Sequence, residues 1–168
     1  MRCRTGAKGH FVNEFRVTKY DPTHRNARGH YQREEWIMVS QIGESFDGFV
    51  LTDAEYQRVE DCYARVAVAF IQEAGVQSLA VVGLESRTAL SFGEGSLLSL
   101  AEIGPFVRRM LREEFWCRLE CAEAFIHIGW DYYMYIGVTH TCPGAKTLAQ
   151  QLGLFVEPFS SPYSERVE

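Results

Sequence analysis

The chain is poor in the features that usually announce a function. No apolar run in its 168 residues approaches the ~20 needed to cross a bilayer, so no membrane partner is expected. The N-terminus has no apolar stretch of the kind that directs secretion. Cysteine is scarce: Cys3, Cys62, Cys117, Cys121 and Cys142 are five in number and irregularly spaced. An odd, scattered set excludes a fully paired disulfide framework and fits reduced thiols in a cytoplasmic protein. Neither G-x-x-x-x-G-K-[S/T] nor G-x-G-x-x-G occurs, so the usual phosphate-cradling loops are missing and no nucleotide cofactor is expected. No G-x-S-x-G marks a nucleophile elbow. Basic clustering is also slight. Arg108, Arg109 and Arg112 are followed at once by Glu113 and Glu114, a pattern that suits helix-surface ion pairs better than nucleic acid. No repeat, low-complexity stretch or linker divides the chain.

What is present is an ordinary globular composition with unevenly placed charge. Apolar residues make up 46% and charged residues 23%, enough for one domain with a real core. Residues 1–33 hold eight Lys/Arg against two Asp/Glu, a net of +6; residues 34–168 hold nine against twenty, a net of −11. Solubility is the simpler use of an acidic body, and attraction of a basic partner the other. The opening MRCRTGAKGH is almost without apolar side chains. Residues 1–12 are therefore expected to form a disordered basic leader, residues 13–160 a single α+β domain, and residues 161–168 a loose tail.

The most informative stretch runs from Phe115 to Val138, FWCRLECAEAFIHIGWDYYMYIGV. Successive side chains of a strand point to opposite faces. Phe115, Cys117, Leu119 and Cys121 share one face, and Trp116, Arg118 and Glu120 share the other. A two-residue turn at Ala122-Glu123 sets Leu119 opposite Ile126 and Arg118 opposite His127. The remainder is too long for one strand and bends at Gly129-Trp130-Asp131. A three-residue turn keeps Ile126 and Ile128 level with Tyr132, Met134 and Ile136, whereas a two-residue turn would invert the last strand. The mixed face then carries Trp116, Arg118, Glu120, Phe125, His127, Tyr133 and Tyr135.

Other elements are legible from caps and periodicity. Phe15 to Tyr20 alternates as a first strand. Gly43 and Asp47-Gly48 mark turns. Thr52-Asp53-Ala54-Glu55 is a capping box that opens a helix with a stripe of Val59, Cys62, Tyr63, Val66 and Phe70; Gly75 closes it. Leu79 to Leu84 is a short strand, and Ser86 to Ser96 a loop. Ser99-Leu100-Ala101-Glu102 opens a second helix toward Glu114, with Pro105 near its start. Ala145 to Leu152 suits a short helix, and Leu154 to Val156 an edge strand. Mating two apolar helix stripes with one apolar sheet face predicts an α+β two-layer sandwich: a mainly antiparallel sheet with two long helices on one face.

Three chemistries compete for these residues. Cys117, Cys121, His140 and Cys142 have zinc-ligand chemistry, but four strand residues separate the first pair by about 13 Å. Ligands of one zinc lie within about 2.3 Å of it, so no metal site is expected. A Cys-His-Asp set drawn from Cys142, His127 or His140, and Asp131 has no spacing that fixes a nucleophile beside its base. Glu120 and His127 can act as acid and base on a polar ligand, with Arg118 as an anion clamp. A cross-strand network in which Glu120, Arg118 and His127 satisfy one another is the plainer alternative. Aromatic residues with Arg also compose protein-binding hot spots, unless the Asp21–Gly48 or C-terminal segments cover them as core.

The phrases EFRVTKYDP, LTDAEYQRVEDCY, LREEFWCRLE, HIGWDYYMYIG and GLFVEPFSSPY resemble a family of small uncharacterised bacterial proteins, over most of the chain from about Asn13. That resemblance brings no activity with it. By size and charge alone the chain is similar to immunity proteins, which neutralise a toxin by binding it. The expectation is a non-enzymatic cytoplasmic binding protein of the immunity type, without cofactor or metal, whose partner is a protein, a toxin being the model case. Its binding residues would be Trp116, Arg118, Glu120, His127, Tyr133 and Tyr135. The alternative is a small enzyme or ligand-binding domain that uses Glu120, His127 and Arg118 in a pocket.

Overall fold

The computed structural model describes residues 13–164. The expected basic leader, 1–12, and the end of the expected loose tail, 165–168, lie outside the described residues. In chain order the elements are β1 (Asn13–Thr18), β2 (Ser45–Phe46), β3 (Phe49–Val50), α1 (Asp53–Glu73), β4 (Ser78–Glu85), β5 (Leu97–Ser99), α2 (Leu100–Leu111), β6 (Trp116–Glu120), β7 (Ala124–Ile128), β8 (Met134–Val138), α3 (Pro143–Gln151) and β9 (Phe155–Pro158). Seven strands form one antiparallel sheet in the order β5-β4-β6-β7-β8-β1-β9, and β2 and β3 make a separate hairpin. The fold is α+β.

Register follows the alternation. Leu119 pairs with Ile126, Ile126 with Ile136 and Ile136 with Phe15, so one row of apolar side chains crosses four strands. Val17, Cys117, Ile128 and Met134 lie on that same face. They merge with the buried sides of the helices, Val59, Tyr63, Val66 and Phe70 of α1 and Ile103, Val107 and Met110 of α2, in one hydrophobic core. The turn between β7 and β8 has three residues, as the polarity pattern requires, but it sits one position later than expected. The Gly129 amide bonds the Tyr133 carbonyl at 2.7 Å, leaving Trp130, Asp131 and Tyr132 at the tip. Tyr132 absorbs the reversal with φ of 61°.

The capping box at α1 forms by half, and the one at α2 forms. At α1 the Thr52 hydroxyl accepts from the Glu55 amide at 3.1 Å, while Glu55 turns away to Arg58. At α2 Glu102 reaches back to the Ser99 amide at 2.8 Å. Gly75, with φ of 75°, ends α1 where the sequence places the stop, and the Val76 amide returns to the Ile71 carbonyl. The expectation of two helices against the sheet is incomplete, because α3 also packs on α1 and contributes Ala145 and Ala149 to the core. Its first turn is capped from outside: the Glu73 carboxylate, at the end of α1, accepts from the Gly144 and Ala145 amides at 3.0 and 2.6 Å.

Candidate functional site

The second face of the sheet is where the sequence places its candidate residues. Register aligns Arg118, His127, Tyr135, Arg16 and Glu157 in a row across β6, β7, β8, β1 and β9. A neighbouring row holds Glu120, Phe125, Gly137 and Glu14. The mixed face therefore exists, and Arg118 faces His127 as expected.

That face is not open. After Pro158 the chain turns back over it. The Phe159 amide bonds the Glu14 carbonyl, and its ring covers the Arg16 guanidinium at 4.1 Å. Ser161 follows: its hydroxyl lies 2.7 Å from His127 Nδ1, and its amide donates to the Glu14 carboxylate at 3.3 Å. Tyr163 then packs against Trp116 and Tyr135, while its carbonyl accepts from Arg118 at 3.3 Å. Residues 159–164 thus run crosswise over the strands from the β9 edge to β6. The expectation of a loose tail from residue 161 is corrected for residues 161–164, since Ser161 is only 7% exposed. The physical reason is a match between the polar and aromatic groups of FSSPYS and the row beneath them.

The six expected binding residues consequently divide. His127, 1% exposed, and Tyr135 are buried beneath this segment, which they meet at Ser161 and Tyr163. Trp116, Arg118, Glu120 and Tyr133 stay partly exposed. Trp116 donates to the Ile128 carbonyl at 3.1 Å. The Tyr133 hydroxyl accepts from Arg25 at 3.1 Å.

The network fixes the protonation of His127. Glu120 Oε1 lies 2.9 Å from Nε2 and is an acceptor, so Nε2 carries the proton and Nδ1 accepts from the Ser161 hydroxyl. The Ser161 oxygen in turn accepts from the Tyr163 amide at 3.2 Å. Burial holds the His127 pKa below its ordinary 6.5, against the pull of Glu120 in the other direction. For Glu120, burial pushes upward, but His127 and Arg118 outweigh it and leave the carboxyl below its ordinary 4.5. Both groups bind protons more readily in the unfolded chain. Their stabilising contribution is complete above pH 6.5 and is lost as pH falls through the folded values, His127 first. The thermal unfolding midpoint should therefore fall from about pH 7 to about pH 5.5, and fall less in His127→Gln. Parallel profiles for the two proteins would contradict this assignment.

Glu120, His127 and Ser161 form a carboxylate–imidazole–hydroxyl line, the same three groups that activate a serine nucleophile but with the two ring nitrogens exchanged between their partners. Sequence reasoning missed Ser161, which lies 34 residues from His127 with no local signal to join them. Glu120, His127 and Arg118 line neither of two clefts that open among the described residues. One, of about 170 Å³, holds Lys19, bonded to Glu35 at 2.9 Å and set between the Tyr20 and Trp36 rings. The other, of about 290 Å³, opens beside the β2–β3 hairpin. Among the described residues no group of three His, Cys, Asp or Glu has the placement to hold a metal ion. Cys117 faces the core, where burial pushes its thiol up to about 12. No helix among the described residues is long and apolar enough to cross a membrane.

No known protein family, curated protein or solved structure matches this chain.

The geometry does single out one residue that the sequence reading treated only as part of a turn. Trp130 is 61% exposed at the β7–β8 tip. The carbonyls of the next two residues are tied down from below: Tyr20 donates to Asp131 at 2.7 Å, and Tyr63 to Tyr132 at 2.9 Å. Gly129 completes the arrangement, because a Cβ there would lie 3.2 Å from the Tyr163 hydroxyl and 3.5 Å from Tyr133. Trp130, Tyr133 and Tyr163 thus gather at one end of the covered face, with Trp116 against Tyr163.

Proposed function

We propose that this chain is a non-enzymatic binding protein of the cytoplasm, an immunity-type inhibitor that neutralises a protein by occupying it. The observation that carries the reading is Trp130, a large aromatic side chain held out to solvent on a turn that two buried tyrosines make rigid. A rigid anchor loses little conformational entropy on binding, and Trp, Tyr and Arg are the side chains on which interface energy concentrates. Trp116 and Tyr133 flank this anchor in the proposal, Arg118 and Glu120 extend the patch along β6 away from it, and His127 and Tyr135 support it from below. The acidic body agrees with such a role. Trp130→Ala should weaken partner binding by about 2 kcal/mol while leaving the unfolding midpoint close to that of the unaltered chain. Unchanged affinity would sink the assignment of the anchor.

The second reading is a hydrolase built on Glu120, His127 and Ser161, and the aligned hydrogen bonds are the observation in its favour. Against it, the Ser161 hydroxyl is buried and already engaged by His127 and the Tyr163 amide. An alkyl fluorophosphonate separates the two. Labelling that disappears in Ser161→Ala would establish the enzyme, and the binding reading expects no label.

A further inference from the structure

The second cleft has features that the aromatic patch does not explain. The β2–β3 hairpin turns at Asp47-Gly48, where both residues take positive φ, 49° and 83°, as a tight two-residue hairpin turn requires. The turn projects Phe49 into solvent at 80% exposure, with Val50 exposed beside it. An exposed Phe-Val pair is costly to solubility unless something covers it. The adjoining groove has an apolar base of Trp36, Phe46 and Leu51. Four carboxylates also line it, Glu34, Glu35, Asp47 and Glu55, with Arg33 as a lining cation. Glu35 is engaged by Lys19 and Glu55 by Arg58. Glu34 and Asp47 have no ion-pair partner among the described residues. The groove is also linked to the anchor turn through its base, since the Trp36 ring lies 4.9 Å from that of Tyr132.

We infer that this groove docks a basic protein segment, with an Arg or Lys side chain held by Glu34 and Asp47 and a neighbouring apolar side chain against Phe49 and Trp36. The inference rests on the protein-binding reading and adds the chemistry of the partner. Charge complementarity selects the occupant. The groove's four carboxylates outnumber Arg33 within a chain of net −5, so an acidic segment is repelled while a cationic one is drawn in. Apolar groups beside the carboxylates favour a segment that pairs a cation with an aromatic or branched side chain over a uniformly charged polycation.

The test uses random twelve-residue peptides displayed on phage and selected on the immobilised protein, with the enriched sequences synthesised and titrated by fluorescence anisotropy. The expected peptides place Arg or Lys next to an apolar residue. Phe49→Ala should weaken them about tenfold or more. The double substitution Glu34→Gln with Asp47→Asn leaves the hairpin backbone suited to its turn. It should weaken them severalfold and flatten their salt dependence. Failure to enrich any peptide, or binding to both altered proteins as tight as to the unaltered one, overturns the groove. If the peptides are lost only in Trp130→Ala, the groove falls while the binding reading stands.

Discussion

Glu60→Ala should lower the unfolding free energy by about 3 kcal/mol, the low end of the range for breaking a buried ion pair. Glu60 is almost wholly buried on α1, where it faces α2. Its carboxylate accepts from Arg112 Nε at 2.8 Å and Nη2 at 3.2 Å, and Arg108 approaches to 3.5 Å. Arg108 also bonds Asp61, so two acids of α1 are matched by the guanidiniums of Arg108 on α2 and Arg112 at its C-cap. Removing Glu60 leaves a void between the helices and takes the buried counter-charge from both arginines. The loss stays at the low end because the Arg108 and Arg112 side chains are 35% and 38% exposed and can rehydrate. Glu60→Gln keeps the shape and should cost less. Chemical denaturation measures both, and a loss under about 1 kcal/mol for Glu60→Ala would show that the helix interface does not depend on this pair.

Gly137→Ala is the second large effect, and it has a specific partner. Gly137 pairs with Phe125 across β7 and β8, and the Phe125 ring lies over it. A Cβ on residue 137 would fall 2.1 Å from Phe125 Cε1, far inside contact distance. The ring cannot move aside freely, because it stacks on His127 at 4.2 Å with planes 13° apart. Overpacking of this kind costs about 1–3 kcal/mol. Phe125→Ala alone should cost about 3–5 kcal/mol by loss of buried aromatic surface. The two losses should not add. Once the ring is gone, alanine at 137 meets open space and suits a strand better than glycine, so the second substitution should be neutral or stabilising. Additive losses in the double variant would place the Phe125 ring elsewhere.

These two sites differ in how far the sequence announced them. The pairing of Arg118 with His127 followed from alternation and turn length, both local properties. The stop at Gly75 and the edge strand before Pro158 were legible for the same reason. Glu60 was not, since a buried acid on an apolar stripe shows only as a break in periodicity. The covering of His127 was hidden as well: FSSPYS has no repeating pattern, and its meaning lies in groups distant in the chain. Three-residue β5 and the two-residue strands β2 and β3 are too short to show a period, although Asp47-Gly48 between Phe46 and Phe49 marked their turn. The mixed face was read correctly as a set of residues, while its openness depended on segment 159–164.

The central claim is that the chain works by holding a protein partner, with Trp130 as the rigid anchor, rather than by turnover. Its most direct test is affinity purification of the tagged protein from its native host beside the Trp130→Ala form, with calorimetric titration of whatever protein is recovered in stoichiometric amount. The account predicts one defined complex that Trp130→Ala weakens about thirtyfold, the equivalent of about 2 kcal/mol, without change in unfolding midpoint. Equal affinity of the two forms, or the absence of any stoichiometric partner together with fluorophosphonate labelling at Ser161, would contradict it.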